Sequence, residues 1–166
     1  MKKILLYALA AGVLFSACEK DEIGGTATQA IAGEWVVTVD VIQNDILYED
    51  GYGIGHFAMY TYNTAANLPT EMWLEDGAHF WDYKTKVAVA DFTFSTSDFV
   101  DNQVSGYEDM KLKITEGKIL LGAATTPSGY PADSIYYKVQ FDDDGENGDL
   151  IHIVHGYRHT GLANDD

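Results

Sequence analysis

The sequence predicts an all-β fold: an up-and-down antiparallel barrel of about eight strands, lipocalin-like in outline, with little helix. Three observations carry this. From Gly33 onward apolar and polar residues alternate with period two. Most of the alternating runs end in turn-forming residues, and no segment sustains a helical period. Strands joined mainly to their neighbours favour closure, because a closed sheet has no exposed edge. A two-sheet β-sandwich of the same strands is the alternative.

Trp35, Val37, Val39 and Val41 alternate with Glu34, Val36, Thr38 and Asp40, which makes a first strand with the tryptophan set facing inward. Ile54–Asn63 is the second, with Phe57 and Met59 on one face and Tyr60 and Tyr62 on the other. Glu71–Glu75 and His79–Lys84 flank Asp76-Gly77, a strong signal for a two-residue hairpin turn. That register opposes Trp73 with Phe80 and Met72 with Trp81, which leaves both hairpin faces apolar. Val87–Phe94 continues the pattern. Met110, Leu112 and Ile114 then alternate with Lys111, Lys113 and Thr115, and Glu116-Gly117 turns the chain into Ile119–Ala123. Ile135–Phe141 and Leu150–Tyr157 form the last hairpin around the acidic loop 142–148. The one place for a short helix is near Ser95–Tyr107.

The N-terminus reads as an address. Met1-Lys2-Lys3, the apolar run Ile4–Phe15 and Ser16-Ala17 make a secretory signal peptide. The run is about 12 residues, short of the about 20 that span a bilayer. Cys18 is the one cysteine, which excludes an intramolecular disulfide and any multi-cysteine metal site. Leu14-Phe15-Ser16-Ala17-Cys18 resembles the lipobox of bacterial lipoproteins, which implies an acylated Cys18 and a membrane partner held through acyl chains. Glu19-Lys20-Asp21-Glu22 resembles the signal that sends Bacteroidetes lipoproteins to the outer face of the outer membrane. The expected location is therefore the outer membrane, surface-exposed, with its periplasmic face as the alternative. The chain divides into a signal peptide (1–17), a lipidated cysteine with a flexible tether (18–32) and a single β-barrel domain (33–166).

With 26 Asp+Glu against 10 Lys+Arg, the formal charge is −16. No basic stripe exists, so nucleic acid is excluded as a partner. A body this acidic is repelled by anionic lipid, and attachment falls to the acyl chains.

The chemistry-bearing residues are sparse. No Gly-x-Ser-x-Gly elbow occurs, and Ser95, Ser97, Ser105, Ser128 and Ser134 lie in turn-like sequence. Period two puts His155, Tyr157 and His159 on one face of the last strand and His152 and Arg158 on the other. Same-face histidines four apart on a strand are about 13 Å apart, too far to share a metal. Setting Gly145 at the sixth place of an EF-hand loop makes Gln140 and Ile151 the first and twelfth ligands, and neither suits Ca²⁺. No metal and no cofactor is expected. The aromatic residues Tyr60, Tyr62, Trp73, Phe80, Trp81 and Tyr137 are the candidate ligand-binding set, since they supply apolar walls with polar handles.

Gly33-Glu34-Trp35 resembles the Gly-x-Trp motif that opens the lipocalin barrel. In that family a basic residue from the last strand lies across the tryptophan, and Arg158, the sole arginine, ends the last strand here. The resemblance implies that Trp35 and Arg158 close the barrel, a contact worth about 0.5–2 kcal/mol. Lipobox, acidic tether, Gly33-Glu34-Trp35 and Gly156-Tyr157-Arg158 together resemble a family of Bacteroidetes lipoproteins described as "lipid-binding putative hydrolase". The family resemblance implies a bound apolar or amphipathic ligand and an esterase-like activity. The expected function is a lipid-anchored extracytoplasmic barrel for a small hydrophobic or amphipathic ligand. The alternatives are a filled barrel that presents a glycan or protein interaction surface, and a lipid or ester hydrolase whose catalytic residues the sequence does not name.

Overall fold

The computed structural model describes residues 24–145 and 149–165. The signal segment 1–17, Cys18, Glu19-Lys20-Asp21-Glu22 and residues 146–148 of the acidic loop lie outside the described residues. Ten strands follow in order: β1 Gly33–Gln43, β2 Ile46–Tyr48, β3 Phe57–Asn63, β4 Glu71–Glu75, β5 Lys84–Ala90, β6 Thr93–Ser95, β7 Val100–Asp101, β8 Lys111–Thr125, β9 Pro131–Phe141 and β10 Ile151–Arg158. Eight close into a ring, β1-β3-β4-β5-β6-β8-β9-β10, and β10 returns to β1 from Trp35↔Arg158 to Ile42↔Ile151. The closed ring is the barrel and not the sandwich. β2 folds back on the end of β1, and β7 pairs with the start of β8.

Alternation places the walls. Trp35, Val37 and Val39 are fully buried and join Met59, Met72, Leu74, Ile114, Ile135, Tyr137 and Val154 in one core cluster. An eight-stranded barrel has room for little more than its own side chains. Here the interior is filled, and burying each such side chain contributes about 1.5–3 kcal/mol. At the closing seam a Cβ on Gly156 would overlap the Val36 carbonyl and the Val37 backbone, so only glycine lets β10 approach β1 this closely.

Four local expectations change. Asp76-Gly77 is not a two-residue turn: β4 ends at Glu75, β5 begins at Lys84, and Trp73 faces Lys86 while Met72 faces Val87. The intervening residues 76–83 form a loop that Asp76 organises. Val87–Phe94 is two strands, with Asp91 at φ +54° in the turn between them. Glu116-Gly117 is a bulge within a continuous β8 and not a turn, because Phe94 pairs across at Gly117 and β9 stays bonded on both sides of the shift. The segment Ser95–Tyr107 carries β7 and turns in place of a helix.

The antiparallel order gives the barrel two distinct ends. The connections β1–β2, β4–β5 and β9–β10 lie at one end, the mouth. The connections β3–β4, β5–β6 and β8–β9, the residues preceding β1 and those following β10 lie at the other, the base.

Candidate functional site

The base is closed by the two ends of the barrel sequence. The Arg158 guanidinium lies 4.4 Å from the Trp35 ring centroid. It also donates to Asp133 Oδ2 at 2.9 Å, to the Ala30 carbonyl at 3.0 Å and to the Ala32 carbonyl. A side chain on Gly33 would collide with the guanidinium, which explains the glycine two residues before the tryptophan. Trp35 Nε1 donates to Thr61 Oγ1 at 2.8 Å, and that hydroxyl donates to the Ile31 carbonyl at 2.7 Å.

The mouth is built around one carboxylate. Asp76 is fully buried and accepts from the backbone amides of Ala78, Phe80, Trp81, Asp82 and Tyr83, all within 2.9–3.1 Å. Asn102 braces the same loop, accepting from Lys84 N and donating to the Asp82 carbonyl. Held this way, the loop lays Phe80 and Trp81 across the top of the core. Trp81 stacks on Phe141 with centroids 5.2 Å apart and planes 12° apart. Phe80 packs edge-on against Trp81, Phe141 and His152. Tyr52 stacks on His152 at 5.7 Å and meets Trp81 edge-on. Below them Tyr83 and Tyr137 share a hydroxyl–hydroxyl hydrogen bond in the core, and burial pushes both phenols upward.

His152 is fully buried, with Nδ1 3.3 Å from the Val139 carbonyl. A carbonyl only accepts, so Nδ1 carries a proton. Burial lowers the ring's pKa against the opposing pull of Asp144 and the carbonyl, which keeps the ring neutral. Nε2 is then an acceptor and takes the Tyr52 hydroxyl at 2.9 Å. Asp144 Oδ2 stands 3.1 Å from the same nitrogen and has no hydrogen-bond donor. Above it lies an open groove of about 380 Å³, walled by Val41, Tyr48, Tyr52, Trp81 and Leu150, with Gln43 and Asp144 as its polar lining. A second depression of about 580 Å³ borders the other side of Trp81, between Tyr107, Met110 and Asp143.

The candidate ligand set is divided among three places. Phe80 and Trp81 are at the mouth. Tyr137 is in the core. Tyr60, Tyr62 and Trp73 are on the outer wall, where Tyr62 faces Trp73 across β3 and β4. Lys84 Nζ sits 5.3 Å from both of the latter rings, and Tyr62 donates to Glu75. That aromatic shelf is occupied by the protein's own cation.

The histidines are separated. His155 Nε2 lies 3.0 Å from Asp40 Oδ2 and 3.4 Å from Thr38 Oγ1. Both partners use one ring nitrogen, so the imidazole cannot relay a proton from hydroxyl to carboxylate as a nucleophile–base pair requires. Among the described residues no group of three His, Cys, Asp or Glu is placed to hold a metal ion. Tyr52, Asp76, Phe141, Asp144 and His152 were not in the expected site. His152 had one signal, its inward parity with Arg158, whereas Tyr52 in Gly51-Tyr52-Gly53 had none.

A closed antiparallel barrel with a filled core and an aromatic, partly polar mouth has the architecture of a small ligand-binding barrel. The chain belongs to the family described as "Lipid-binding putative hydrolase", whose model it matches over residues 20–163. No curated protein matches it. Among solved structures it is similar to a structural-genomics protein of unknown function from Bacteroides ovatus, at 11% identity and a TM-score of 0.48. The alignment covers 81% of this chain and 44% of that one, so the chain spans less than half of that protein's length.

Proposed function

We propose that this lipid-binding barrel is held at the bacterial surface through acyl chains on Cys18 and takes one small amphipathic ligand at its mouth, outside the filled core. The anchor follows from the lipobox, and the surface location from Glu19-Lys20-Asp21-Glu22. The observation that carries the binding site is the groove beside Trp81, with a buried carboxylate oxygen that lacks a donor. Asp144 lines this groove, and a donor head beside its carboxylate gains a charge-assisted hydrogen bond of about 1.5–3 kcal/mol. Trp81 and Tyr52 offer ring faces and edges for an alkyl segment, and Asp144 accepts from its head. A chain of formal charge −16 favours a cationic head over an anionic one. The ligand class is an apolar tail with an ammonium or hydroxyl donor.

The test compares dodecylamine with laurate, equal tails with opposite heads, each below its micellar concentration. Tryptophan emission should titrate saturably with the amine, and about tenfold more tightly than with laurate, as one charge-assisted hydrogen bond implies. Asp144→Asn should erase most of that preference and Trp81→Ala most of the binding. Equal affinities for the two heads, or binding unchanged by Trp81→Ala, would overturn the site.

A further inference from the structure

Both ends of the barrel expose apolar side chains, the mouth through Ile46, Leu47, Tyr48, Tyr52 and Tyr107, but at the base few carboxylates stand beside them. Each connection at the base, and the tail that follows β10, exposes a large apolar side chain: Leu68 between β3 and β4, Phe92 between β5 and β6, Tyr130 between β8 and β9, and Leu162 after β10. They are 39–59% exposed. Leu120 and Leu121 join them, at 48% and 58%. Two successive leucines can face outward only where alternation breaks, and β8 breaks there with a register shift between Leu120 and Ala124 and Gly122 at φ +62°. These residues ring one end of the barrel, the arrangement expected of a surface that is covered in use.

Two further observations identify the cover. The described chain begins at this end: Ala27 N bonds to Asn67 in the β3–β4 loop, and the Ala30 and Ala32 carbonyls receive Arg158. The residues preceding Gly24, Cys18 among them, therefore connect here. The charge is also divided. At the base Asp133 is paired with Arg158, Glu71 with Lys86, and Asp165 is fully buried, which leaves Asp91 in the β5–β6 turn as an exposed carboxylate. Asp45, Asp50, Asp82, Glu108 and Asp143 stud the connections at or near the mouth, where Asp98 also pairs with Lys113. An end rich in carboxylates turns away from a membrane, and an apolar end with few of them can rest on one.

We infer that the base is a bilayer-docking face: Leu68, Phe92, Leu120, Leu121, Tyr130 and Leu162 enter the interfacial layer and hold the mouth pointing outward. This seat presupposes the acyl anchor at Cys18 proposed above. The anchor sets proximity, and the apolar ring sets orientation.

The test reconstitutes the full lipidated chain in phosphatidylcholine vesicles with and without brominated acyl chains. One variant carries Leu121→Trp at the base and the other Tyr107→Trp near the mouth, both at exposed positions. The chain should float with the vesicles, and brominated lipid should quench most of the emission added by Leu121→Trp and none of that added by Tyr107→Trp. A chain that floats while neither added indole is quenched keeps the anchor and overturns the docking face. A blue-shifted indole at position 121 that brominated lipid does not quench means that a second copy or another protein covers the base, which also overturns it. A chain that does not float contradicts anchor and docking face together.

Discussion

His152 couples the mouth to pH. Burial lowers its pKa, so the unfolded chain takes up the proton more readily than the folded one. The stability this neutral ring contributes is complete above the unfolded histidine pKa of about 6.5, and it is lost as pH falls through the lower folded value. Urea unfolding at about pH 7.5 and about pH 5.5 should show a drop for the native chain that His152→Gln reduces. Protonation at Nε2 would also supply Asp144 with its missing donor, so amine binding should weaken over the same window. Asp76 is the other residue on which the mouth depends. Asp76→Ala leaves five amides without their acceptor and should cost about 3–4 kcal/mol, read from the urea midpoint. Neither role could be read from the chain. Asp before Gly signals a turn whether its carboxylate binds one amide or five, and a histidine in an alternating strand has the same parity whether it is a neutral ring in the core or a ligand.

At the scale of elements, the strands were legible and several of their ends were not. Alternation in β1, β3 and β9 follows from one wall facing a core and the other facing solvent, and it needs no partner to be read. The loop 76–83 is different: His79, Phe80 and Trp81 have strand-like composition, but the Phe80 and Trp81 amides donate to Asp76 and not to a neighbouring strand. Aromatic residues cover a barrel end as well as they fill a sheet, which makes the two cases alike in sequence. The seam between β1 and β10 gives a direct prediction. Gly156→Ala places a Cβ into the Val36 carbonyl and should destabilise by about 1–3 kcal/mol, seen as a lower melting temperature without a change in the far-ultraviolet spectrum of the folded state. Arg158→Lys keeps the charge but loses the fork that reaches Asp133, Ala30 and Ala32 while covering Trp35. It should cost about 1–2 kcal/mol by the same measurement.

The whole molecule is a filled barrel with two unlike ends. A filled and a hollow barrel have the same alternation, so the sequence could announce the barrel and its closing pair while leaving open where a ligand sits. Packing decides it: Trp35, Met59, Leu74, Tyr137 and Phe141 are all at 0% exposure, and the groove lies above them. The measurement that tests this most directly is an NMR titration with dodecylamine, observing the three tryptophan indole N–H signals and the methionine methyls. Trp81 borders the groove, Trp35 lies in the core bonded to Thr61, Trp73 is on the outer wall, and Met59 and Met72 line the interior. The expected result is a saturable shift of Trp81 with Trp35, Trp73, Met59 and Met72 unmoved. Shifts at Met59, Met72 or Trp35 with Trp81 unmoved would place the ligand inside the barrel and contradict the mouth as its site.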